Sequence, residues 1–224
     1  SGEGLPFEVL DFVMGGKAIM FSADDKDYLY DLQAQKLTSL NRPQVERQPD
    51  SDGLMRNMRG SQLWNGDYSP DFRYFAFVKE YDLYLADTRD GSVKHMTTGG
   101  NEKLFNARPD WVYPEEFGQT TAYWWSPNSK MIAYYQFNEG EVHKYPLVHD
   151  LKSEARLELQ SYPKAGETNP TVYLYVIDLE SGKTVQVETA STDQNYIVRP
   201  TWLRDSSGLT FQRLNRHQSH LELL

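Results

Sequence analysis

Apolar and polar residues alternate in short runs along the chain, and each run is bounded by residues that favour turns. In the clearest example, the turn sequence Ser69-Pro70-Asp71 precedes an aromatic run from Tyr74 to Val78, and a second run follows from Asp82 to Asp87. Aromatic and β-branched runs of this length are typical of half-buried strands. Ser-Pro and Asp/Asn/Gly clusters set the turns between them. The pattern therefore predicts paired β-strands.

Three further segments repeat this arrangement of turn, strand, turn and strand. They are residues 15–32, residues 126–135 continued after a long insertion by 172–178, and residues 202–224. Repeats of about 40 to 50 residues with about four strands each indicate propeller blades. We therefore expect an all-β chain of about four blade-like repeats, part of a β-propeller. A self-contained β-sandwich is the alternative, and the stretch from Asp150 to Gln160 fits either helix or strand.

The last repeat stops at Leu224, where a strand is expected. Four blade-like units do not close the ring of a large propeller. Residues 1–224 are therefore expected to form a partial propeller domain of a longer protein.

Composition excludes several classes of function. The net charge is −9 and no cluster of lysine and arginine stands out, so no nucleic-acid partner is expected. The chain has no cysteine, which excludes disulfides and cysteine nucleophiles. No apolar run approaches the roughly 20 residues of a membrane span. His217 and His220 are three residues apart, but no acidic partner motif accompanies them, so we expect no metal site there.

The run from Asp110 to Phe117 carries the candidate chemistry, because Glu115 and Glu116 are adjacent carboxylates that follow Pro114. Two carboxylates on a fixed turn can bind one cationic ammonium. The alternative is that Pro114 starts a short helix and that the glutamates only stabilise the partial positive charge at its N-terminal end. Asp110 and Tyr113 are expected to brace the pair, or Asp110 only caps the turn.

Four stretches together resemble the N-terminal propeller of the dipeptidyl peptidase IV-type serine peptidases, in the prolyl oligopeptidase clan. They run from Asp110 to Phe117, from Trp124 to Asn128, from Ala133 to Asn138, and from Tyr162 to Val172. The resemblance covers about residues 105 to 215, with matching order and rough spacing. Trp111, Trp124, Trp125 and Trp202 are interpreted as blade-packing residues.

The resemblance implies a division of labour. A propeller of about eight blades would lie over an α/β-hydrolase domain, absent from this chain, that supplies a Ser-Asp-His triad. By motif position, Glu115 and Glu116 would bind the α-ammonium of the substrate. Pro114 stands where many relatives carry a third glutamate, which affects the orientation of the pair. No Gly-x-Ser-x-Gly elbow occurs in this chain, so no catalytic residue is assigned.

The implied whole protein is a serine dipeptidyl aminopeptidase that removes dipeptides with proline or alanine second. A tripeptidyl aminopeptidase and a non-catalytic peptide- or protein-binding propeller are the alternatives. The implied partners are a peptide with a free N-terminus, the protein's own C-terminal hydrolase domain and a second copy of the parent in a homodimer. No cofactor is expected, and the location is expected to be periplasmic or secreted. Relatives also use an arginine from an early blade to contact the peptide carbonyl. Arg56 and Arg59 lie in a poorly matching loop, so we assign this role to neither.

Overall fold

Antiparallel sheets make up most of the chain. The computed structural model describes residues 9–24, 26–43, 66–149 and 156–224. Within these ranges the strands form four sheets in chain order and one separate hairpin. We call the four sheets the first to the fourth. This arrangement is that of successive propeller blades, and it contradicts the sandwich alternative, which requires two facing sheets.

The first and second sheets each have four strands that pair in chain order. The first contains β1 (Val9–Val13), β2 (Ala18–Ala23), β3 (Lys26–Asp31) and β4 (Lys36–Leu40), with a 3₁₀ turn at Met14–Gly16. The second contains β5 (Asp67–Tyr68), β6 (Tyr74–Lys79), β7 (Asp82–Asp87) and β8 (Val93–His95). The strands predicted at residues 74–78 and 82–87 are thus confirmed.

The third sheet has five strands and contains an insertion. Its strands are β9 (Leu104–Asn106), β10 (Tyr123–Trp125), β11 (Met131–Asn138), β14 (Thr171–Asp178) and β15 (Thr184–Gln186). Strand β11 pairs with β14 along its whole length, from Met131 opposite Asp178 to Asn138 opposite Thr171. The predicted displacement of this partner strand is therefore confirmed.

The insertion forms a hairpin of β12 (Lys144–His149) and β13 (Arg156–Ser161). The stretch from Asp150 to Gln160 is therefore strand from residue 156 onward, and a helix there is wrong; residues 150–155 lie outside the described ranges. The fourth sheet contains β16 (Asn195–Trp202), β17 (Leu209–Asn215) and β18 (Leu221–Leu223).

Equivalent turns link neighbouring sheets. The Asp71 backbone N–H of the second sheet donates to Ser129 Oγ of the third at 3.0 Å. The Asn128 N–H of the third donates to Ser206 Oγ of the fourth, also at 3.0 Å. Both serines are buried, so these bonds give their hydroxyl oxygens a partner where water has little access. The repeated Ser-Pro and Asp-Ser turns thus fix the side-by-side order of the sheets.

One short helix, α1 (Val112–Phe117), lies between β9 and β10. It packs on the largest apolar cluster, in which Tyr135 and Phe137 of β11 are fully buried. Trp111, Trp124 and Trp202 pack against this cluster and Trp125 against a second one, which confirms their packing role. No helix in the described ranges is both long enough and apolar enough for a membrane crossing.

Candidate functional site

Helix α1 is fixed at both ends by its local sequence. The Tyr113 N–H donates to Asp110 Oδ1 at 3.0 Å, so Asp110 caps the first turn. Pro114 lies in that turn, where the missing N–H costs no helical hydrogen bond. At the other end Gly118 has φ of 59°, and the N–H groups of Gly118 and Gln119 bond back to the carbonyls of Pro114 and Tyr113. The helix therefore has one defined length.

The inner face of α1 is held by the fourth sheet. Tyr113 is 1% exposed, and its ring meets those of Phe117, Tyr135 and Phe137 edge-on. The Ile197 N–H of β16 donates to Tyr113 Oη at 3.0 Å. A buried aromatic with a satisfied hydroxyl is a strong local anchor. This contact fixes the rotation of the helix about its own axis.

Glu115 and Glu116, which we call the exposed pair, both lie on the outer face of α1 and are solvent-exposed. Glu116 Oε2 accepts a hydrogen bond of 3.3 Å from Gln218 Nε2. Gln218 is the hydrogen-bond partner of this carboxylate among the described residues, and its amide is neutral. The short helix of the second interpretation is present, although it begins at Val112 rather than at Pro114. The binding of a cation by the pair stays a prediction.

A second pair of carboxylates, Asp110 and Glu139, is buried near the start of α1, and we call it the buried pair. The two residues are 3% and 5% exposed. Burial, with the nearby charge of Glu139, raises the pKa of Asp110 to about 7. Burial also raises the pKa of Glu139, while Ser161, Lys144 and Arg108 partly offset that rise. Asp110 Oδ2 is buried and has no hydrogen-bond partner among the described residues.

The residue that reaches Glu116 belongs to the turn between β17 and β18. Asn215 Oδ1 accepts from the N–H groups of Ser219 and His220, each at 2.9 Å. The Gln218 N–H donates to the Asn215 carbonyl at 2.8 Å. The turn therefore has a closed internal hydrogen-bond network. Sequence reasoning missed Gln218, because nothing local in residues 215–220 points to a partner 102 positions earlier.

His217 and His220 are exposed in the same turn. His220 Nε2 lies 3.7 Å from Glu222 Oε1, an ion pair only when the imidazole is protonated. No group of three His, Asp or Glu side chains within the described ranges is close enough to bind a metal ion. A cleft of about 490 Å³ lies between the first and second sheets, and neither member of the exposed pair lines it. Arg56 and Arg59 lie outside the described residues.

Comparison with known proteins identifies the family. A model of the dipeptidyl peptidase IV N-terminal region matches residues 15–224. Dipeptidyl aminopeptidase A of Saccharomyces cerevisiae is 27% identical over 170 residues, which are 73% of this chain and 18% of the yeast protein. A probable dipeptidyl peptidase 4 of Aspergillus flavus is 30% identical over 189 residues, which are 80% of this chain and 23% of the fungal protein.

Solved structures agree on the fold. The crystal structure of dipeptidyl peptidase 4 from Porphyromonas gingivalis superposes with a TM-score of 0.71 at 24% identity, covering 99% of this chain and 31% of that one. A dipeptidyl aminopeptidase IV from Bacteroides ovatus, described as putative, gives 0.70 at 21% identity, with coverage of 92% and 26%. The chain thus spans about a fifth of the curated relatives and under a third of these structures. The match over residues 15–224, with separate small sheets in chain order, places this chain in the dipeptidyl peptidase IV family as part of its N-terminal propeller region.

Proposed function

We propose that this chain is the substrate-anchoring propeller portion of a serine dipeptidyl aminopeptidase, and that Glu115 and Glu116 bind the α-ammonium of the peptide. The observation that carries the proposal is the placement of two adjacent carboxylates on the outer face of a helix whose inner face is locked by Tyr113. Membership of the family and the names of its relatives support it.

The chemistry of the exposed pair suits a cationic end group. An ammonium shared by two carboxylates makes charge-assisted hydrogen bonds, which are stronger than neutral ones. In this chain the pair faces solvent, where such contacts are weakened by water and salt. A second domain over this face would exclude water and strengthen them. We therefore place the substrate between the exposed pair and a hydrolase domain encoded beyond this chain.

A fixed pair of carboxylates also explains how an exopeptidase selects the peptide bond at a set distance from the N-terminus. The peptide bond that lies a set distance from the bound ammonium is the one presented to the nucleophile. Extra residues on the amino side would leave the glutamates without a cation or collide with α1. Binding energy from this remote contact also orients the reacting carbonyl. A preference for proline or alanine at the second position belongs to the same proposal and depends on residues outside this chain.

The test uses the full-length protein and the chromogenic substrate alanyl-proline p-nitroanilide. Glu115→Gln/Glu116→Gln removes both charges with little change in shape. The matched control is Glu102→Gln/Glu180→Gln, two exposed glutamates on other turns. We expect kcat/KM to fall by about 100-fold or more in the first variant, as for loss of two charge-assisted bonds. The control should match the wild type.

Each alternative has its own outcome. Full activity in the Glu115→Gln/Glu116→Gln variant would move the ammonium site elsewhere. Release of tripeptides in place of dipeptides would assign the protein to a tripeptidyl aminopeptidase. A wild-type protein that binds peptides without cleaving any would be a binding propeller. Unchanged melting temperature in both variants ensures that a loss of activity reflects the site.

A further inference from the structure

We propose that Gln218 is a positioning residue of this ammonium site, holding the Glu116 carboxylate in the orientation that receives the peptide. The inference rests on the proposed function of the exposed pair. It is carried by the hydrogen bond of 3.3 Å between Gln218 Nε2 and Glu116 Oε2, which joins the fourth sheet to α1. This bond uses one acceptor position of Oε2 and leaves the remaining lone pairs of the carboxylate for the substrate.

The chemistry of the amide suits this task. A carboxylate only accepts hydrogen bonds, so the Gln218 NH₂ group must be the donor. A lysine or arginine in this place would form an ion pair and compete with the ammonium of the peptide. The neutral amide restricts the carboxylate without cancelling its charge. Glu116 thus keeps its full attraction for a cation while losing part of its rotational freedom.

The turn that carries Gln218 is held rigidly. Asn215 closes it from inside through bonds to Ser219 and His220. Arg216 ties it to neighbouring loops, because its N–H donates to the Gln194 carbonyl at 2.9 Å and its guanidinium donates to the Glu167 carbonyl. The Gln218 side chain, carried by this hydrogen-bonded turn, loses less conformational entropy on binding Glu116 than it would on a mobile loop.

The backbone at Gln218 provides a clean substitution. Its φ is 53°, a conformation that glycine adopts at no steric cost. Gln218→Gly is therefore expected to remove the side chain without harming the fold. Gln35, exposed in the turn between β3 and β4 away from the site, is a glutamine with a similar φ of 50°. Gln35→Gly is thus a matched control for the change of residue and of backbone strain.

The experiment compares full-length wild type, Gln218→Gly, Gln35→Gly, Glu116→Gln and the double variant Glu116→Gln/Gln218→Gly on alanyl-proline p-nitroanilide. We expect Gln218→Gly to raise KM by about three- to tenfold, because the variant loses one hydrogen bond to a charged group at an exposed position. We expect kcat within about twofold and an unchanged or higher melting temperature. Gln35→Gly should change only the melting temperature.

The double variant decides whether Gln218 acts through Glu116. If it does, KM of the double variant should equal KM of Glu116→Gln alone, so the effects of the two single substitutions on KM are not additive. A full additional rise in KM in the double variant would overturn the proposal, as would a wild-type KM in Gln218→Gly. Should the glycine variant fold poorly, Gln218→Asn, which also suits this backbone and is one methylene shorter, is expected to raise KM in the same direction.

The outcomes separate this inference from the proposed function. If Glu115→Gln/Glu116→Gln loses activity while Gln218→Gly keeps the wild-type KM, the ammonium site stands and only the role of Gln218 is wrong. If Glu115→Gln/Glu116→Gln keeps full activity, the proposed function fails and the role of Gln218 fails with it.

Discussion

Two pairs of carboxylates in and near α1 lie in opposite environments. Asp110 and Glu139 are 3% and 5% exposed, and burial raises the pKa of both. Glu115 and Glu116 are exposed, and the one hydrogen-bond partner found there is a neutral amide. Desolvation favours the protonated form of a buried carboxyl, whereas the exposed pair is open to solvent. Burial, rather than residue type, therefore decides which of these carboxyls a ligand can reach from solvent.

The largest expected effect comes from breaking the inner side of α1. Tyr113→Ala removes a ring that packs on Tyr135 and Phe137 and a hydroxyl that accepts the Ile197 N–H. We expect the free energy of unfolding to fall by about 3–5 kcal/mol, as for other large core truncations. Glu115→Ala/Glu116→Ala should change it by only about 0.5 kcal/mol. Urea unfolding of the full-length protein, followed by tryptophan fluorescence, makes the comparison. Similar losses in both variants would contradict it.

The next effect is the pH dependence of stability that Asp110 confers. Since its pKa in the folded protein, about 7, lies above its ordinary value of 3.8, the native state binds the proton more tightly than the unfolded chain does. The resulting stabilisation is complete below about pH 4 and is lost as the pH rises through about 7. Asp110→Asn keeps an acceptor for the Tyr113 N–H but does not titrate.

We therefore expect wild type to lose stability relative to Asp110→Asn between pH 4 and pH 8, by on the order of a few kcal/mol. Melting temperatures of both proteins across this range provide the measurement. Glu139 contributes a slope of the same sign to both proteins, since its pKa is also raised. Parallel profiles would show that Asp110 is ionised in the folded state throughout.

A smaller effect is expected when a cation is introduced beside the exposed pair. Gln218→Lys places an ammonium on the turn that already reaches Glu116. An intramolecular cation competes with the substrate at a high effective concentration. We expect kcat/KM for alanyl-proline p-nitroanilide to fall by about tenfold, with partial recovery at high salt. Gln35→Lys, in a turn of the same backbone conformation, should match wild type. Equal activity of the two lysine variants would separate Gln218 from the site.

Features that depend on neighbouring residues could be predicted from sequence. The aromatic runs and Ser-Pro turns gave the strands of the second and third sheets, because side-chain alternation and turn chemistry act within a few positions. Pro114 and Asp110 likewise predicted a capped turn before the glutamates, and Asp110 does cap it. The pairing of β11 with β14 was also predicted, since both strands keep their apolar pattern on either side of the insertion.

Features that depend on distant residues were missed. Glu139 follows the polar end of β11 and resembles a turn residue, yet its N–H bonds to the Lys103 carbonyl and its side chain is buried. Gln218 lies 102 residues from Glu116, so only the packing of the fourth sheet against α1 brings them together. The roles of Arg56 and Arg59, outside the described residues, stay unassigned.

The central claim is that the exposed pair recognises a free α-ammonium. The most direct test compares kcat/KM for alanyl-proline p-nitroanilide with that for propionyl-proline p-nitroanilide, which lacks only the amine. Wild-type full-length protein should prefer the amine by about 100-fold or more, and Glu115→Gln/Glu116→Gln should lose most of that preference. A preference that survives in this variant undiminished would contradict the account, because the amine would then be bound by other residues.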